Sequence, residues 1–87
     1  MPTLLFINNI PVTTTSQELQ TLCSRYGLVK SSQVMRDGLN RSRGFAYVQM
    51  MTETAAEQAR TELNGRQILS HRIDVNFAVN LILPTDD

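Results

Sequence analysis

Hydrophobic and polar positions along the chain switch between two periods. From Thr3 to Ile7 they alternate, with Leu5 and Ile7 on one side and Phe6 sharing the other with Asn8, the period of two expected of a half-buried strand. Pro11 and a polar run stop it. Beyond Thr15, Leu19, Leu22, Cys23 and Tyr26 recur at i, i+3, i+4 and i+7, which predicts a helix over residues 16–26 with one apolar face. Thr15 with Glu18 forms a capping box, and Gly27 supplies the stop. Period two returns at residues 28–35, weakened by Ser31 and Ser32, and again at 43–50; residues 36–42, with Asp37-Gly38 inside, form the turn between them. Thr52 caps a second predicted helix ending at Leu63, whose inward residues Ala56 and Ala59 are small enough to let it lie close on a sheet, and Asn64-Gly65 ends it. A last strand over residues 72–78 sets Ile73, Val75 and Phe77 against Asp74, Asn76 and Ala78, with a short hairpin near residues 67–69 before it.

The order β-α-β-β-α-β predicts an α+β, ferredoxin-like sandwich: a four-stranded antiparallel sheet with two helices on one face. One sheet face is covered and the other is open. Parity then decides what the open face carries. In the strand over 43–50, Gly44, Ala46, Val48 and Met50 take one side and Arg43, Phe45, Tyr47 and Gln49 the other. The small and aliphatic set is the buried one, so two rings, with Phe6 as a third, are expected in solvent, where core packing cannot account for them.

At 87 residues the chain has room for a single small core, here assigned to residues 1–80, with residues 81–87 as a short tail. Its longest apolar runs fall far short of a membrane span, and a soluble, intracellular, monomeric domain without membrane contact is the expectation. One cysteine and one histidine leave no disulfide partner and no metal or cofactor site. Cys23 falls on the apolar stripe of the first helix, as a small core residue does. His71 lies in a turn. Neither forms a catalytic set, so no enzyme is expected. Asn40-Arg41-Ser42 matches a glycosylation sequon, an accidental match without a secretory segment.

The net charge is zero, but it is unevenly spread. Residues 1–50 hold five basic groups (Arg25, Lys30, Arg36, Arg41, Arg43) against Glu18 and Asp37, a net +3, while residues 51–87 hold three against six acids, a net −3. Local field, not total charge, steers a polyanion.

Two segments carry a family resemblance. RGFAYVQM, residues 43–50, resembles the octamer of the RNA recognition motif (basic, Gly, aromatic, Gly or Ala, aromatic, aliphatic, any, aromatic) at all but the last place, where Met50 stands for an aromatic. LFINNI, residues 5–10, is similar to the family's hexamer on the first strand. The resemblance implies that Phe6 and Tyr47 each stack a base, that Phe45 packs against the sugars between two nucleotides, and that Arg43 pairs with a phosphate. It also implies that Asn8, Gln49, Asn76 and Ala78 contact base edges. Gln33, on the same face, is a further candidate for base edges, with Met35 beside it in the second strand. Lys30, Arg36 and Arg41 are the remaining candidate phosphate contacts. Departures from the family are Ser70 for a turn glycine, His71 for an arginine, and Arg60 for an aliphatic, read as a stem over the core edge with its head in water.

Stacking on a ring is worth about 1–3 kcal/mol per base and is tolerant of base identity, whereas base choice needs Watson-Crick edges that a duplex hides. The expected partner is therefore a short single-stranded RNA, in mRNA processing or regulation. If about three phosphates are neutralised, the log-log salt slope is about −2. The competing reading is a domain that binds another protein domain through its helices, its sheet, or the apolar tail residues Leu81, Ile82 and Leu83. A helix-and-loop mode for peptides needs an acidic first helix and an Arg-any-Phe loop. Here the helix carries both Glu18 and Arg25, and the loop reads Arg66-Gln67-Ile68. The tail, folded back over the sheet, would instead act as a displaceable cover.

Overall fold

The structure is a computed structural model and describes residues 2–78; the tail, with Leu81, Ile82 and Leu83, lies outside the described residues. Strands β1 (Thr3–Asn8), β2 (Val29–Arg36), β3 (Ser42–Met50) and β6 (Asp74–Phe77) form one antiparallel sheet in the order β2-β3-β1-β6. Helices α1 (Ser16–Cys23) and α2 (Glu53–Leu63) cover one side of it, and β4 (Gln67–Ile68) pairs with β5 (His71–Arg72) in a separate ribbon. This is the ferredoxin-like sandwich that the periodicity predicts.

The core is the helix-facing half of each strand. Leu5, Ile7, Val48, Met50, Ile73 and Val75 are all fully buried against Leu19, Cys23, Ala56, Ala59 and Leu63. The small face of α2 has a counterpart in Gly27. Its φ of +153° suits glycine, and a Cβ built there would stand 2.5 Å from Ala55 Cβ. Any larger residue must push α2 outward. Cys23, buried and without a polar partner among the described residues, has its thiol pushed up to about 11 by loss of solvent.

The capping box forms as read: Glu18 N–H donates to Thr15 Oγ1 and Thr15 N–H to Glu18 Oε1. The first helix is shorter than its apolar stripe, because residues Ser24–Tyr26 tighten into a 3-10 turn before Gly27, a common way to finish a last turn. Of the two serines that weaken the pattern of the second strand, Ser32 helps to secure it instead. Ser32 donates its hydroxyl to Ser16 O, and Val34 N–H, on the edge of the sheet, donates to Ser16 Oγ, both at 2.8 Å. A side chain thus occupies an edge donor that would otherwise be open to pairing.

The strand expected over 72–78 is divided. His71 and Arg72 belong to the ribbon, and the sheet strand starts at Asp74. Ile73 makes the transition, its N–H donating to Arg66 O while its carbonyl accepts from Gly65 N–H. The ribbon turn, with Ser70 where a glycine was expected, puts Leu69 at φ +55°. Arg60 holds its guanidinium 5.7 Å from the Phe77 ring centre, so its head caps a half-buried ring and is not simply in water.

Candidate nucleic-acid interface

Strand pairing arranges the open face in rows. Gln33 of β2, Tyr47 of β3, Phe6 of β1 and Asn76 of β6 are consecutive cross-strand partners. One row along, Phe45, Asn8 and Asp74 are partners. On the other side Ser31 meets Gln49 and Gln49 meets Leu4, whose carbonyl accepts from Ala78 N–H at 2.9 Å. The first row therefore has two rings at its centre and an amide at each end.

The rings form a cluster. Phe6 lies 5.5 Å from Phe45 and 5.4 Å from Tyr47, centre to centre, with tilted planes, and Phe45 and Tyr47 meet edge to face at 6.2 Å. All three are half-buried, while the alternating neighbours Ile7, Ala46 and Val48 are fully buried. Each ring is supported at its edges by the others and leaves part of its surface to solvent. The Arg43 guanidinium stands 5.3 Å from the Phe45 ring centre.

Gly44 allows that strand to turn at its entrance. At φ +85° it adopts a conformation that glycine takes without strain, and its carbonyl accepts from Ile10 N–H. Met50, the departure from the octamer, is fully buried on the helix side. Its place is a core place, and an aliphatic thioether fills it.

The polar groups of the open face are uncommitted. Among the described residues, the side chains of Asn8, Gln33, Gln49 and Asn76 have no hydrogen-bond partner within the protein. Asn8, Gln33 and Asn76 are exposed and Gln49 is half-buried. Ala78 is half-buried with its N–H engaged by Leu4, which leaves any further main-chain contact to its carbonyl. Met35 is half-buried between the paired Val34 and Arg36, where the β2–β3 register shifts.

Arg36, Arg41 and Arg43 gather at the turn that joins β2 to β3, whereas Lys30 lies at the far end of β2. Lys30 is exposed at a second register shift, between Val29 and Ser31. Arg36 donates from Nη1 to Asn40 O at 3.3 Å. Arg41 is an ion-pair partner: its Nε donates to Asp37 Oδ2 at 3.0 Å. The same carboxylate accepts the backbone N–H groups of Leu39 and Arg41 through Oδ1. The Arg41 backbone bond, followed by the Leu39 bond, the Arg41 side chain and the charge of Arg43, holds the Asp37 carboxyl below the usual carboxylate range against a partial opposing effect of desolvation. Pairing through Nε leaves both Nη nitrogens of Arg41 free to donate. Asp37 thus closes the loop and aims the guanidinium.

Sequence reading brought together every residue of this face except three. Leu4 and Ser31 were passed over, and Asp74 was placed on the open side without being counted a contact. The alternation that selected Asn8, Gln33 and Asn76 also selects these.

The comparisons with known proteins agree with this geometry. The model of the RNA recognition motif matches residues 5–74. Polyadenylate-binding protein 6 of Arabidopsis thaliana is 40% identical over 75 residues, 86% of this chain and 14% of that protein. The chain therefore spans about a seventh of that curated relative. A crystal structure of RNA binding protein PG1 superposes with a TM-score of 0.87 at 30% identity, covering 94% of this chain and 98% of that one. A Sex-lethal protein/RNA complex superposes with a TM-score of 0.85, also at 30% identity, covering 90% and 47%. With two sequence segments, a sheet order and a ring cluster in agreement, the chain belongs to the RNA recognition motif family.

Proposed function

We propose that the chain binds a short single-stranded RNA across the open face of its sheet. Phe6 and Tyr47 stack one base each, Phe45 packs against the sugars between them, and Arg43 leaves the Phe45 ring to pair with a phosphate. Asn8, Gln33, Gln49 and Asn76 meet base edges, with Met35 and Ala78 at the margins, while Lys30, Arg36 and Arg41 attract the backbone. Residues 1–80 act as one monomeric, intracellular domain in the processing or regulation of mRNA.

One observation carries the reading: among the described residues, three aromatic rings cluster on the face away from both helices, beside amide side chains without hydrogen-bond partners. Exposure of rings is costly unless something else covers them. A nucleobase does so at about 1–3 kcal/mol each. The relatives support the same partner, since the names include a polyadenylate-binding protein and a protein/RNA complex.

Titration with a pool of short single-stranded RNAs and with the corresponding duplexes tests it. The single strands should bind, with a log-log salt slope of about −2, and the duplexes should bind only weakly. Tyr47→Ala should lose about 1–3 kcal/mol of binding with the fold retained. Equal affinity for duplex, or indifference to Tyr47→Ala, rejects the stacking surface.

A further inference from the structure

The open face is not uniformly suited to a polyanion. At its β6 edge stands Asp74, exposed, directly across from Asn8 and two residues from Asn76. Its carboxylate makes no hydrogen bond or ion pair among the described residues. A free carboxylate is a poor neighbour for phosphate. It is a good one for a base that presents donors.

The sheet order fixes which part of a nucleotide meets it. Lys30, Arg36, Arg41 and Arg43 lie on β2, β3 and the loop between them, whereas β6 is the opposite edge; of the cations near β6, Arg60 lies over the Phe77 ring and Arg72 donates to Gly65 O. A nucleotide stacked on Phe6 then has its phosphate drawn toward the cations and its base edge directed toward β6. Asp74 is the diagonal neighbour of Phe6 across the β1–β6 pair, a separation of about 7–8 Å that a base lying on the ring can bridge.

A carboxylate only accepts hydrogen bonds, so the base it selects must offer donors side by side. Guanine does, with N1–H and N2–H adjacent on its Watson-Crick edge and O6 beside them as an acceptor. Adenine sets the N1 lone pair next to its N6 donor, cytosine sets N3 next to N4, and uracil flanks its single N3–H with two carbonyl oxygens. Each of these three turns at least one lone pair toward the carboxylate. The amides of Asn8 and Asn76 flank Asp74 and can donate to O6.

We propose that Asp74 is a specificity-determining residue that selects guanine at the base position stacked on Phe6, with Asn8 or Asn76 supplying the donor to O6. The assignment rests on the proposed RNA-binding face and names the base that one of its positions takes.

The test uses the whole chain and seven-nucleotide oligouridylates in which one position at a time carries guanosine, adenosine, cytidine or inosine. In the unaltered protein, guanosine at one position should tighten binding by about tenfold over the other three standard bases, as a bidentate contact does. Inosine, which lacks the N2 amino group, should forfeit part of that gain. Asp74→Asn should abolish both the guanosine preference and the guanosine-inosine difference in a protein that still binds these oligomers. A guanosine preference that survives Asp74→Asn, or no preference in a protein whose binding still depends on Tyr47, overturns the assignment and leaves the stacking surface standing. Failure of every oligomer to bind removes both.

Discussion

The two faces of the central strands differ in what their residues are for, although the residues are immediate neighbours in sequence. Ile7, fully buried, sits between Phe6 and Asn8 on the open side, and Ala46 sits between Phe45 and Tyr47. On the helix side, shape and volume decide the residue, and Met50 serves where the family has an aromatic. On the open side volume is irrelevant to the core, and rings and amides stand among its residues. A one-residue slip in register would exchange the two sets. The comparison therefore predicts that substitutions separate cleanly into losses of stability and losses of binding.

The largest separation is expected at Leu5. Leu5→Ala removes a fully buried side chain and should cost about 2–5 kcal/mol of stability, with RNA affinity unchanged for the fraction that remains folded. Denaturant titration beside RNA titration would show it. An affinity loss in fully folded Leu5→Ala would mean that the two faces are coupled.

Next comes a test of the helix side alone. Burial raises the Cys23 thiol from 9.0 to about 11, so the unfolded chain releases its proton first as pH rises. Between those values the native state binds more protons than the unfolded one, and stability falls with increasing pH, by about 2–3 kcal/mol at the upper end. Cys23→Ala should lack this component of the alkaline slope. An identical slope in both proteins would show that the thiol is not the titrating group.

The smallest effects belong to the cations. Arg43→Ala should flatten the log-log salt slope by about 0.7, one phosphate on a single strand, and weaken all sequences alike. Arg41→Ala should do the same less fully, because Asp37 already neutralises part of its charge. The Asp37 cluster should persist through neutral and mildly acidic pH. A depressed carboxyl gives up its contribution only as pH falls below the usual carboxylate range and through its own lower value, so loop order followed by amide exchange should be lost only in strong acid. Loss of order near pH 6 would contradict the arrangement.

Most of the architecture was legible in the sequence because period and parity act through the backbone, which every residue shares. Both helices, the four sheet strands and the open-face side chains followed from spacing alone. The rest depended on tertiary contacts. The division of the last strand at Ile73 is set by hydrogen bonds to Gly65 and Arg66, and no local pattern announces it. The ion pair that aims Arg41 depends on a loop closure, and the placement of Arg60 over Phe77 on helix-to-strand packing. Alternation alone places Asp74 on the open side, but its partner Asn8 and its diagonal neighbour Phe6 are set by strand register, which no local pattern announces.

The adjacent pair Phe6 and Ile7 gives the most direct measurement: melting temperature and RNA affinity for Phe6→Ala and Ile7→Ala, side by side. Phe6→Ala should melt close to the unaltered protein and bind about 5- to 150-fold more weakly, the equivalent of one lost stack. Ile7→Ala should melt far lower and, where folded, bind normally. Unfolding of Phe6→Ala with affinity intact in its folded fraction would place that ring in the core and contradict the assignment of the two faces.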